Sequence, residues 1–97
     1  MTTKMRFDRT ETVICSIEVT DQNGNYFSPS TSMKMTILDP NDAVKVDAAA
    51  MTLDGVGLYH YDFTPAADAV LGWDRVRFVA THGSRVTIHD DGFTLEE

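Results

Sequence analysis

The sequence predicts an all-β domain built as a two-layer sandwich, and three observations carry that expectation. Short runs of alternating apolar and polar residues recur along the chain, as in "TVICSIEVT" and "GLYHYDFTP", and a period of two marks a half-buried strand. Glycine, proline, asparagine and aspartate gather between those runs, at "DQNG", "DPND", "DGVG" and "DDG", where turn chemistry calls for them. No stretch carries a convincing helical period, and 97 residues with 42% hydrophobic content suffice for one domain with one core.

Residues 12–20 place Val13, Cys15, Ile17 and Val19 on one face and Ile14, Ser16, Glu18 and Thr20 on the other. Cys15 lies on the apolar side and is the single cysteine, so it forms no internal disulfide and serves as a small core hydrophobe. The following "TDQNGNYF" has the composition of a calcium loop. With Asp21 first, Asn23 and Asn25 are suitable ligand types, but Gly24 falls fourth where such a loop needs glycine sixth, and Ser32 stands where it needs glutamate. With strands on both flanks, the stretch reads as a tight hairpin turn on Asn23 and Gly24.

Residues 31–39 repeat the alternation with Met33, Met35 and Ile37 inward and stop at Asp39-Pro40-Asn41-Asp42. Residues 43–53 are the least regular, since the alanines after Asp47 fit half a helix. Val44 and Val46 leading in, and the turn from Asp54 to Gly57, favour a strand. Residues 57–65 set Tyr59, Tyr61 and Phe63 against His60 and Asp62, and residues 65–72 read as a long loop with at most one helical turn. Residues 73–81 turn Val76, Phe78 and Ala80 inward, His82-Gly83-Ser84 reverses the chain into a strand over 85–89, and a break at Asp90-Asp91-Gly92 precedes a last strand over 93–95. The expectation is an immunoglobulin-like antiparallel β-sandwich of about seven strands, with residues 1–10 as an N-terminal arm and residues 11–97 as the single domain.

Fifteen acidic residues against eight basic ones give a net charge of −7, which argues against nucleic-acid binding. Arg75, Arg77 and Arg85 come nearest to a basic patch, and Asp74 interrupts it. No apolar run approaches the ~18 residues that span a bilayer, and the basic start lacks the apolar run of a signal peptide. The chain is therefore expected neither to enter a membrane nor to be exported by a leader.

Candidate chemistry is sparse. His60 and Asp62 share a strand face, and the hairpin carrying His82 and His89 is expected to bring those two near each other. Any two alternate residues of a strand share a face, so exposed histidines are the commoner outcome, and no metal ligand is assigned. Ser16, Ser28, Ser30, Ser32 and Ser84 sit in outward or turn positions without a glycine elbow, Gly55-Val56-Gly57 runs into a strand where a phosphate loop needs a helix, and so small a sandwich leaves little room for a cleft between paired carboxylates. The expectation is a non-enzyme with no catalytic residue and no cofactor. Trp73, Tyr26 and Phe27 are the candidate contact residues. Together they could form a sugar-binding platform, if a bulge near Gly72 leaves Trp73 exposed, although a core or rim role is commoner for such aromatics.

The order of "IEVTDQNG", "MTILDPND", "GLYHYDFTP", "GWDRVRFVATHG" and "DGFTLEE" resembles the immunoglobulin-like modules of bacterial-surface proteins and of tailed-phage and archaeal-virus virions, where they occur as short free-standing chains. The residues that carry it are Asp21 to Gly24, Asp39-Pro40, Gly57 to Phe63 and Gly72-Trp73, which are turn formers and core aromatics. The resemblance implies a non-enzymatic virion structural protein, an accessory, decoration or head-neck-tail component. Its implied partners are other virion proteins, capsid or tail subunits, bound as a homo-oligomer or as many copies on a lattice. One domain without an export signal favours the virion over a surface adhesin. The alternative is a carbohydrate- or cell-surface-binding module using Trp73 or the Tyr26-Phe27 turn. A weaker one is a periplasmic metal-binding module through His60.

Overall fold

The computed structural model describes residues 6–8 and 11–96, and they form two packed β-sheets. Eight strands follow one another: β1 (Arg6–Asp8), β2 (Val13–Glu18), β3 (Ser32–Leu38), β4 (Val44–Ala50), β5 (Thr52–Gly55), β6 (Leu58–Phe63), β7 (Gly72–His82) and β8 (Arg85–Glu96). One sheet has the order β1-β8-β7-β3-β4 and the other β2-β6-β5. All neighbours are antiparallel except β1, which runs parallel to the end of β8 and pairs Arg6 with Thr94. The chain changes sheet after β1, β2, β4 and β6, and its last two strands form the central hairpin of the larger sheet. This is the predicted immunoglobulin-like sandwich.

The inward residues of both sheets fill one core. Val13, Cys15 and Tyr59 come from the smaller sheet, and Met33, Met35, Ile37, Val46, Val76, Phe78, Phe93 and Leu95 come from the larger. Val13, Cys15, Tyr59, Met33, Met35, Ile37, Val76 and Phe78 lie in the alternating phase read from sequence, because a strand places every second side chain on the same face. The Cys15 thiol is pushed up to about 12, first by burial and then by the charges of Asp62 and Asp91. A thiol held protonated in this way is a poor nucleophile.

Two segmentations differ from expectation. Residues 43–53 form two strands in different sheets: β4 pairs with β3, β5 pairs with β6, and buried Met51 makes the crossing with its N–H bonded to the Met33 carbonyl at 3.0 Å. The alanine run had no visible breaker, but Ala48 takes a positive φ of 48° and its N–H binds Thr36 Oγ1 at 3.1 Å, so the kink is set by a contact distant in sequence. Residues 85–95, expected as two strands, form the uninterrupted β8, whose register with β7 is unbroken from His82↔Arg85 to Gly72↔Leu95. Asp90-Asp91-Gly92 is therefore ladder and not turn. Asp90 is held by Arg77 across the strands, and Gly92 leaves the space that the Trp73 indole covers. Of the expected N-terminal arm, residues 6–8 form β1, and residues 1–5, 9 and 10 lie outside the described residues.

Candidate functional site

The outer face of the larger sheet carries Trp73. Alternation along β7 turns Asp74, Val76 and Phe78 inward and Trp73, Arg75 and Arg77 outward. Trp73 is 46% exposed without any bulge, since the β7–β8 register is continuous. Its phase alone, opposite to that of Val76, leaves it outside. The indole covers Gly92, where an added Cβ would stand 2.4 Å from Cζ2, and Thr94 lies across the strand. Arg75 pairs with Asp42, and Arg77 makes a two-pronged contact with Asp90 at 2.7 and 3.0 Å.

Tyr26 and Phe27 lie at the other end. Thr20 and Tyr26 close the first hairpin as an isolated bridge, and Phe27 meets His82, at the far end of β7, edge to face with ring centroids 5.6 Å apart. Nine residue steps along β7 separate Trp73 from His82, roughly 30 Å in an extended strand. The three aromatics therefore do not form the single platform weighed from sequence. They are two separate features, with Tyr26 exposed and Phe27 half-buried.

The turn that leads into Tyr26 is built on Asp21. Its Oδ1 accepts the N–H groups of Asn23 and Asn25 at 2.9 and 3.0 Å, and Gly24 donates to the Asp21 carbonyl at 3.0 Å. Gly24 has a positive φ of 82°, and Asn23 does not share that conformation. The hairpin is thus a turn followed by one left-handed residue, a longer loop than the two-residue form predicted. Among the described residues no three His, Cys, Asp or Glu side chains are grouped so as to hold a metal ion.

The histidines are dispersed. His60 bonds through Nδ1 to Asp54 Oδ2 at 2.6 Å on the outer face of the smaller sheet, and that hydrogen bond raises its pKa above the ordinary value. His82 Nδ1 accepts the Ser30 N–H at 3.0 Å, which places any proton of the neutral ring on Nε2. His89 pairs with Phe78 in the ladder, while His82 pairs with Arg85. Four ladder steps, roughly 13 Å, separate the two backbones, so the hairpin sets both histidines along one cleft on the same face rather than side by side.

Sequence reading missed two features. A cleft of about 610 Å³ opens where the three-stranded sheet stops short of the five-stranded one, with Phe78, Met33 and Val19 among its apolar walls and Arg85, His89 and Glu18 among its polar ones. The expectation of little room for a cleft is corrected: the sheets are of unequal width, so the inner face of β8 at Arg85, Thr87 and His89 stays exposed. The second feature is a buried acidic pair, Asp39 and Asp74. Asp39 Oδ1 accepts the N–H groups of Asn41 and Ala43 at 2.8 and 2.9 Å, its other oxygen lies 3.6 Å from Lys45 Nζ, and its pKa is lowered, chiefly by the bond from Ala43. Asp74 is 1% exposed, its Oδ1 has no hydrogen-bond partner among the described residues, and burial followed by the charge of Asp39 pushes its carboxyl to about 6. The signal was present, because Asp74 shares the inward phase of Val76 and Phe78.

The chain matches no protein-family model, no curated protein and no solved structure.

Proposed function

We propose that the chain is a non-enzymatic virion structural component, an accessory, decoration or head-neck-tail protein that works by binding neighbouring capsid or tail subunits. The observation that supports this reading is the outer face of the β7–β8 hairpin. Val86 and Ile88 are 59% and 54% exposed, and half-buried Val79 lies opposite Ile88 in the ladder. Exposed apolar residues that adjoin on a sheet face form the kind of patch by which proteins bind one another. A module that binds the assembled shell and not its free subunits adds its binding free energy to the stability of that shell. Co-sedimentation with particles from the source tests the reading. Retention on the particles, lost in the V86K/I88K variant, is the expected result, and a wild-type chain that stays in the supernatant at every concentration would overturn it.

Trp73 supports the second reading, a carbohydrate- or cell-surface-binding module. A half-exposed indole spread over Gly92, with Arg75 on the same face and Thr94 across the strand, offers a flat apolar surface beside polar groups, the combination that stacks against a sugar ring. Titration of Trp73 fluorescence with oligosaccharides decides it. A saturable change abolished in W73A favours the sugar, and an unchanged spectrum removes this alternative.

A further inference from the structure

We infer that the chain pairs with a second copy of itself through the edge of β8, residues 85–91, running antiparallel about a two-fold axis at Ile88. The inference deepens the subunit-binding reading and rests on it only for its biological setting. β1 covers β8 at residues 94–96, and over residues 85–91 the edge has no strand partner among the described residues. A bare edge is a ready template for another strand.

The four sheet edges are not equivalent. β4 is disrupted by register shifts and by Ala48 at positive φ, and a bulged edge resists pairing. β5 is four residues long with its own register shift. β2 is regular, but its one ionised residue, Glu18, would meet no opposite charge in a symmetric pairing. β8 is long and regular, with exposed apolar side chains on its outer face.

The sequence of the edge, Arg85-Val-Thr-Ile-His-Asp-Asp91, sets the register. With Ile88 opposite its symmetry mate, Arg85 of each copy faces Asp91 of the other, giving two ion pairs, and the two Ile88 side chains meet on the outer face. Arg85 and Asp91 share the inner face of β8, and among the described residues neither belongs to a salt bridge. Arg75 and Arg77, by contrast, are each paired internally. Sliding the partner so that Thr87 lies on the axis sets Arg85 against His89 and leaves Asp91 without an opposite charge. Charges placed on an edge to prevent pairing would repel their symmetry mates. These attract.

Sedimentation velocity on the full chain at 0.15 M salt, over a wide concentration series, tests the inference. A monomer–dimer equilibrium in the micromolar range is expected, as befits a small contact. R85D alone and D91R alone each raise the dissociation constant on the order of 10-fold, and the swapped R85D/D91R variant restores it. I88K, which sets two lysines face to face on the axis, raises it by about 100-fold while circular dichroism confirms the fold. Removing residues 1–5 leaves the dimer intact if β8 carries it. A monomer at all concentrations, a charge swap that fails to rescue, or loss of the dimer on removing residues 1–5 would each overturn the inference. Co-sedimentation with particles reads the virion proposal separately, so either can fail alone.

Discussion

Two turns of this molecule are built to one plan and sit in opposite surroundings. In "DQNGN" Asp21 Oδ1 accepts the N–H groups two and four residues on, its own N–H donates to the Asn25 carbonyl, and Gly24 takes a positive φ. In "DPNDA" Asp39 Oδ1 accepts from Asn41 and Ala43, its N–H donates to the Ala43 carbonyl, and Asp42 takes a positive φ of 66°. The difference is solvent: Asp21 is exposed, whereas Asp39 is buried beside Asp74. A short local motif thus specifies the turn in both places. Its environment decides whether the aspartate only closes a loop or also perturbs a second carboxyl.

Removing the two aspartates should separate those roles. Asp39→Ala leaves two N–H groups without their acceptor and Lys45 without its partner, and a lost acceptor in a buried setting is costly. The expected outcome is a fall in Tm of about 10 °C in calorimetry. Asp21→Ala breaks the same bonds where water replaces them, so about 0.5–1 kcal/mol is expected in urea unfolding. Equal losses at both sites would contradict the claim that burial distinguishes them.

The next effect in size belongs to Asp74, whose carboxyl rises from 3.8 to about 6 in the folded protein. The folded state therefore holds this proton more tightly than the unfolded chain. The stability contributed by Asp74 is full below pH 3.8, falls as pH rises toward 6, and is flat above. Asp74→Asn removes the charge while keeping the shape. It should stabilise the protein at pH 8 by about 1–2 kcal/mol, after discounting for solvent that screens the pair, and give little at pH 4. In Asp39→Ala the Asp74 carboxyl, freed of its neighbour's charge, should titrate lower, readable by carbon-detected NMR of the side chain.

The strands were legible because alternation is a local property. Val13, Cys15, Met33, Met35, Ile37, Val76 and Phe78 are buried in the phase that the sequence assigns them. What sequence could not give is what depends on distant partners: the kink at Ala48 fixed by Thr36, the continuity of β8 through Asp90-Asp91-Gly92 secured by Arg77 and Trp73, and the cleft left by sheets of unequal width. Trp73 was found as a candidate and its exposure explained by the wrong device, since phase, and no bulge, turns it outward. The grouping of Trp73 with Tyr26 and Phe27 failed because closeness in composition says nothing about which end of an eleven-residue strand a side chain occupies.

The left-handed residue differs between the two turns, Gly24 in one and Asp42 in the other. Gly24 has no atom within 4 Å of an added Cβ, so Gly24→Ala isolates the backbone cost of φ 82° in open space. About 1 kcal/mol of destabilisation is expected by urea unfolding, and a neutral result would mean that this hairpin relaxes to another turn type.

Asp42→Gly is the converse, and the smallest effect. Asp42 occupies the position equivalent to Gly24 at a φ of 66°, a conformation that aspartate tolerates better than most residues but glycine better still. Relief of that strain favours the variant by a few tenths of a kcal/mol, while loss of the Arg75 contact, between two exposed side chains, opposes it by an amount of similar size. The two terms separate by ionic strength, because salt screens the ion pair and leaves backbone strain untouched. Asp42→Gly should be within about 0.5 kcal/mol of the parent at low salt and become the more stable of the two at 1 M salt. If the difference between the proteins does not change with salt, the Arg75 pair contributes nothing to why "DPNDA" departs from "DQNGN" at its fourth residue.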